Sequence, residues 1–139
     1  MFEPMQTPPN PKLAADSQRL DRLAASLKLA VSEDWQKRRY GVAVSSGPDS
    51  MALTWLMANV LPENMAAATV DHGFRTSAAD EARMVAGYCA HEHIDHQILR
   101  PPTPITGSLQ AAARAERYRL LELWRQDQQL DFVLTAHHA

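Results

Sequence analysis

The chain has a single cysteine, Cys89. It therefore forms no internal disulfide, which excludes a small disulfide scaffold and fits a reducing cytoplasm. Cys89 sits in an apolar helical stretch, as a small core residue does, rather than in the electropositive setting of a nucleophile. Long apolar runs are missing as well. None approaches the roughly 20 residues needed to span a bilayer, so no membrane partner is expected. The N-terminus, MFEPMQTPPNPK, has an acid near its start and no apolar segment, and does not read as a secretory signal. Charge of one sign is not in excess either, the formal net charge being -2. A self-sufficient nucleic-acid-binding domain usually carries a basic face. Arg114, Arg117, Arg119 and Arg125 do gather in one stretch, but acids dilute them. Much of any grip on RNA is then expected from elsewhere.

What is present describes one domain. With 139 residues and 45% apolar composition, the chain can bury a sizeable core. Residues 1–12 contain four prolines and little that packs, and read as a disordered leader ahead of a domain over 13–139. From Leu13 to Val31 apolar residues recur at helical spacing. Arg39 to Val44 reads as a short buried strand, and Pro48 opens a helix to about Val60, where its missing N–H costs nothing. Met65 to Val70 is a second strand, followed by a helix from about Ser77 past Cys89. Asp95 to Leu99 is a third strand. A long helix is expected over about Ser108 to Gln128, with Tyr118, Leu121 and Trp124 in the core. Asp131 to Ala136 is a fourth strand.

Such alternation implies an α/β fold, a doubly wound parallel sheet with helices on both faces. The chain stops directly after its last strand, where a doubly wound sheet would continue, so a fragment is expected.

The strongest chemical signal is Val44-Ser45-Ser46-Gly47-Pro48-Asp49-Ser50, between a buried strand and a helix. Ligands of open α/β sheets bind beyond the carboxyl ends of the strands. A helix N-terminus offers free N–H groups and partial positive charge to phosphate. Ser45, Ser46 and Ser50 add hydroxyl donors, and the Asp49 carboxylate can hold Mg²⁺. The same residue types also suit a plain turn and cap. The loop has neither the Gly-Lys-Ser/Thr of a Walker A loop nor a Gly-x-Gly-x-x-Gly. His91, His93 and His96 do not match a common zinc spacing.

The loop resembles the Ser-Gly-Gly-x-Asp-Ser loop of N-type ATP pyrophosphatases, with serine at 46 where the family has glycine. A left-handed backbone at that position would cost Ser46 about 1 kcal/mol. Three further segments, Val70 to Arg75, Leu109 to Tyr118 and Leu134 to Ala139, are similar to the tRNA(Ile)-lysidine synthase branch. In similar proteins the last of these runs on into an acidic Asp-Asp-x-x-Glu-Thr stretch.

The resemblance implies ATP and Mg²⁺ as cofactors. It implies lysine and a tRNA(Ile) with a CAU anticodon as partners, with a homodimer left open. The reaction would adenylate the C2 oxygen of the wobble cytosine, and the lysine amine would then displace AMP. Ser45, Ser46, Gly47, Pro48, Asp49 and Ser50 would hold the nucleotide, with Asp49 on the metal. Asp49, Asp71, His72, Arg114 and His137 would carry the chemistry. Residue by residue, Asp71 and His72 at a strand end also fit an Asx-type turn, and Arg114 with Arg117 a solvated basic face. A non-catalytic ATP-binding remnant stays open beside this reading. So does a tRNA thiolase, although such enzymes usually use catalytic cysteines, often paired.

Overall fold

The computed structural model describes residues 11–73, 76–102 and 109–136. The chain divides into two units, Met1–Trp35 and Gln36–Ala139. The first holds α1 (Pro11–Ala30), whose last turn is extended by a bond from the Val31 N–H to the Leu27 carbonyl at 2.8 Å. Pro11 and Lys12, read from the sequence as leader, are helical. Proline suits a first helical turn, where the N–H it lacks would have no partner. Residues 1–10 of that leader lie outside the described residues.

The second unit carries the sheet. Its elements are β1 (Tyr40–Ala43), α2 (Pro48–Val60), β2 (Met65–Val70), α3 (Thr76–His91), β3 (His96–Leu99), α4 (Leu109–Asp127) and β4 (Phe132–Thr135). A single 3-10 turn, Trp35–Lys37, precedes β1. All strand pairs are parallel, and the order is β3-β2-β1-β4. The doubly wound parallel sheet expected from the alternation of elements is what forms.

That order fixes where the helices lie. The chain steps from β1 to β2 to β3 in one direction, then returns past β1 to β4. Right-handed crossovers therefore put α2 and α3 on one face and α4 on the other. Burial agrees. Ala43, Ala66 and Ala68 share a core with Leu121, Trp124 and Leu130. Tyr40, Val42 and Ala67, of opposite parity, are also buried, so the other face is covered too. There α2 contributes Thr54 and Met57, and α3 contributes Ala82, Val85 and Cys89, all fully buried.

Small residues line the α4 face because the large ones come from the helix. A Cβ on Gly41 would meet the Trp124 ring at 2.6 Å and the Leu130 side chain at 2.8 Å. The reversal of strand order at β1 opens a crevice at the carboxyl ends of the central strands.

No helix of the described residues is long and apolar enough to cross a membrane.

Candidate functional site

A cavity of about 330 Å³ sits at that crevice. It takes Ala43, Val44, Ser45 and Ser46 from the end of β1, Ser50 from α2, and Ala68, Thr69, Val70 and His72 from the end of β2. Ala78 and Glu81 come from α3, Arg117 from α4 and Ala136 from beyond β4. Every element that reaches the carboxyl edge around β1 thus supplies a wall.

The 45–50 loop is built by serine hydroxyls. β1 ends in register with β2, the Val44 N–H donating to the Ala68 carbonyl at 2.8 Å. The Ser50 hydroxyl accepts from the Ser45 N–H at 2.9 Å and donates to the Ser45 carbonyl at 2.9 Å. The two hydroxyls are 3.0 Å apart, and the Gly47 N–H donates to Ser45 Oγ at 3.3 Å. Ser50 is only 7% exposed. It closes the loop rather than standing open to a ligand, whereas Ser45 and Ser46 reach the cavity from its rim.

Gly47 caps α2 in extended conformation (φ -68°, ψ 152°) with no side-chain cap bond, and Pro48 opens the helix. Gly47 supplies no capping side chain, the Met51 N–H donates to the Gly47 carbonyl at 3.2 Å, and the helix N-terminus carries partial positive charge of the kind that favours an anion. Ser46 is not in the left-handed region, which among non-glycine described residues holds only His93 and Gln129. The cost expected for serine at that position does not arise. Asp49 is exposed in the first turn of α2 and is not part of the cavity wall.

Asp71 and His72 divide their roles. Asp71 is 5% exposed, and its carboxylate accepts from the Gly73 N–H at 2.9 Å and from Arg100 Nε at 3.3 Å. This is the Asx-type turn that the residue types allow, with an arginine added. Gly73 has φ +77°, a left-handed conformation that favours glycine. The turn leaves His72 on the cavity wall. Burial, and then the nearby Arg117 charge, lower the His72 pKa, while Asp71 partly offsets them. The imidazole therefore stays neutral at pH 7, able to give or take one hydrogen bond on each nitrogen.

Of Arg114 and Arg117 on α4, Arg117 lines the cavity and Arg114 does not. Arg114 lies over the Tyr118 ring, 5.6 Å from its centroid, on the exposed side of the helix. Tyr118, expected in the core, is 49% exposed, while Leu121 and Trp124 are buried as expected. The acids that dilute the basic stretch are paired, Glu116 with Arg119 and Glu122 with Arg125. His137 and His138 lie outside the described residues, as do Phe74 and Arg75.

Sequence reasoning missed Arg100, Thr69 and Glu81. Arg100 directly follows β3 on the ligand-binding edge, and that position was its only signal. Cys89 is fully buried, and burial pushes its thiol up to about 11. It is not a nucleophile at neutral pH. His91 is an exposed neighbour of Glu92, while His96 bonds to Thr69. Among the described residues no group of three His, Cys, Asp or Glu side chains gathers to hold a metal.

Comparison with known proteins adds a family to this geometry. The PP-loop domain matches residues 17–139. The tRNA(Ile)-lysidine synthase of Zymomonas mobilis is 44% identical over 102 residues, covering 73% of this chain and 31% of the relative. That of Novosphingobium aromaticivorans is 46% identical over 111 residues, covering 76% and 34%. The chain thus spans about a third of the length of the curated relatives it matches. Two solved structures share the fold. One is the U34-tRNA thiolase NcsA from Methanococcus maripaludis (TM-score 0.72, 15% identity, 90% of this chain and 46% of that one). The other is the NH3-dependent NAD synthetase from Campylobacter jejuni (TM-score 0.62, 16% identity, 91% and 56%).

Proposed function

The chain belongs to the PP-loop domain family, and from that premise we propose that it is the ATP-binding part of a tRNA(Ile)-lysidine synthase. The reaction is ligation of lysine to the wobble cytidine of a tRNA(Ile) with a CAU anticodon. The observation that carries it is a hydroxyl-stitched loop leading into the N-terminus of α2, on the same cavity as Arg117 and a neutral His72.

The residues fit ATP. Amides at the start of α2, with Ser45, Ser46 and Gly47, hold the pyrophosphate end of the nucleotide, and Pro48 and Ser50 fix the loop that presents them. Mg²⁺ is compatible with Asp49. The ion keeps several waters and needs only one or two carboxylates beside phosphate oxygens, and Asp49 is an exposed carboxylate at the loop. When bound, the ion would neutralise phosphate charge.

In the first step the cytosine C2 oxygen attacks the α-phosphorus and pyrophosphate leaves. In the second the lysine amine attacks C2, AMP leaves, and the amine loses a proton. The chain's own contribution is alignment and preorganised charge. Arg117 faces the cavity with a guanidinium suited to phosphate oxygens. His72, neutral, orients a reacting group or accepts a proton. Asp71 acts through the turn it holds. Arg114, on the outer side of α4, is left for the tRNA backbone, and a role for His137 rests on the family resemblance alone. The domain has no basic balance of its own, so most of the tRNA grip comes from other parts of the enzyme or from a second copy of the chain.

The buried, protonated Cys89 disfavours a cysteine-based thiolase reading. AMP formation by this protein with Mg²⁺, omitting lysine and tRNA in turn, tests the proposal. AMP that requires both supports it, and AMP formed equally without lysine refutes it.

A further inference from the structure

Glu81 is the one carboxylate among the described residues that line the cavity, and the phosphate reading does not use it. It stands on the inward stripe of α3, three residues after Ala78 and four before Val85. Ala78 lines the cavity and Val85 is fully buried. A glutamate on that stripe breaks the apolar pattern where the helix passes from the core to the cavity. The helix dipole does not account for it, since α3 has no acid in its first turn and Glu81 lies beyond that turn.

Its neighbours on the helix do not neutralise it. The residues three and four positions away are Ser77, Ala78, Met84 and Val85, none of them basic. The adjacent Asp80 takes Arg83, Asp71 takes Arg100 and Glu116 takes Arg119. Among the described residues no hydrogen bond or ion pair engages Glu81. Arg117 reaches the same cavity from α4, on the other face of the sheet, and forms no ion pair with it. The cavity thus offers a ligand one positive and one negative group, kept apart.

ATP is a polyanion, and a carboxylate on the wall repels it unless a cation lies between. Asp49, the carboxylate compatible with Mg²⁺, is not on this wall. Of the reactants, lysine brings positive groups of its own. Its side-chain amine, on a primary carbon, is the unhindered nucleophile and sheds a proton when it attacks. Its α-amine stays an ammonium throughout. Resting on the reading that this cavity ligates lysine, we propose that Glu81 binds the α-ammonium of that lysine. The carboxylate accepts a charge-assisted hydrogen bond from the ammonium. This pairing presents the side-chain amine, and not the α-amine, to C2 of the activated cytosine. The bond from the side-chain nitrogen to C2 forms, the bond from C2 to the AMP oxygen breaks, and the proton lost comes from the side-chain amine. Glu81 is a substrate-binding residue that selects which end of lysine reacts.

The test is AMP formation by the protein with Mg-ATP and a CAU-anticodon tRNA(Ile), supplied either with lysine or with 6-aminohexanoate. The second amine keeps the side-chain nitrogen and the carboxylate and lacks only the α-amine. The ratio of kcat/KM values is expected to favour lysine by roughly ten-fold, the size of one hydrogen bond between charged groups. Glu81→Gln removes the charge at nearly constant shape and is expected to bring the two amines within about two-fold, through a loss with lysine. Glu81→Asp is expected to keep part of the preference. A merely structural role, or a role on Mg²⁺, would slow both amines alike and leave their ratio where it was. Equal values in the unaltered protein, or an unchanged ratio in Glu81→Gln, overturn the assignment. Absence of lysine-dependent AMP from the unaltered protein overturns the ligation reading of the cavity, and this inference with it.

Discussion

Ser50 holds Ser45 at both ends of one residue, accepting from its N–H and donating to its carbonyl, each at 2.9 Å. A side chain in the first turn of α2 thereby completes the bonding of the residue that leaves β1. The residues between them are turned outward as a closed loop. Below it, Thr54 Oγ1 donates to the Ser50 carbonyl at 2.7 Å and ties the loop to the buried side of α2.

Removing that hydroxyl should therefore injure fold and site together. Ser50→Ala leaves the Ser45 N–H and carbonyl without their partner, at an expected cost of about 1–3 kcal/mol. Urea unfolding measures the loss. ATP affinity should fall as well, because the loop amides are no longer held in one arrangement. An unchanged midpoint and unchanged affinity would show that the loop does not need this stitch.

Gly41 is fixed by what lies across from it. The Trp124 ring and the Leu130 side chain occupy the space a Cβ would take. Gly41→Ala should destabilise the protein by about 1–3 kcal/mol through overpacking. A second substitution that shrinks the opposing ring, Trp124→Phe, should recover part of that cost in a double-mutant cycle. Strict additivity of the two changes would contradict the close approach.

Gly73 is fixed by its backbone instead, at φ +77° with open space around it. Gly73→Ala should cost about 1 kcal/mol for the left-handed conformation. Its effect on ATP affinity should exceed its effect on stability, since the turn also carries His72. Arg100→Gln should behave more mildly, because Asp71 keeps its bond to the Gly73 N–H.

The stability of the domain should fall as pH drops through the ordinary histidine value of about 6.5. His72 and His96 both have lowered pKa values in the fold, in each case chiefly through burial. The unfolded chain therefore takes up protons first as pH falls, and the native state is favoured less and less until pH passes below the folded values. Above about 6.5 the contribution is fully present. Thermal midpoints between pH 7.5 and 5 should show this slope, and it should be shallower in His72→Gln and in His96→Gln. Equal slopes in all three proteins would contradict the assignment of these two groups.

Much of this architecture is legible in the residues alone. The strands Met65–Val70 and Tyr40–Ala43 announce themselves as short apolar runs between breakers, and Gly47-Pro48 marks the start of α2. The phosphate loop stands out because it falls between them. Side-chain direction on α4 was harder. Arg114 and Arg117 are three residues apart, which is about 300° of rotation and 4.5 Å of rise. That offset is enough to turn one toward the cavity and the other outward onto Tyr118. Tyr118 read as core because periodicity cannot tell the edge of an apolar stripe from its centre. The Asp71–Arg100 and Thr69–His96 contacts join β2 to β3 across 29 and 27 residues. They depend on strand order, which no local pattern encodes.

The central claim is that this cavity activates a tRNA base for attack by lysine. The most direct measurement is the mass of a CAU-anticodon tRNA(Ile) after incubation with the protein, Mg-ATP and lysine, with AMP followed in the same samples. The account expects a tRNA heavier by one lysyl group, formed together with AMP and abolished by omitting lysine or by Arg117→Ala. ATP cleaved to AMP with no change in the tRNA, or an unaltered tRNA and no AMP from folded protein, would contradict it.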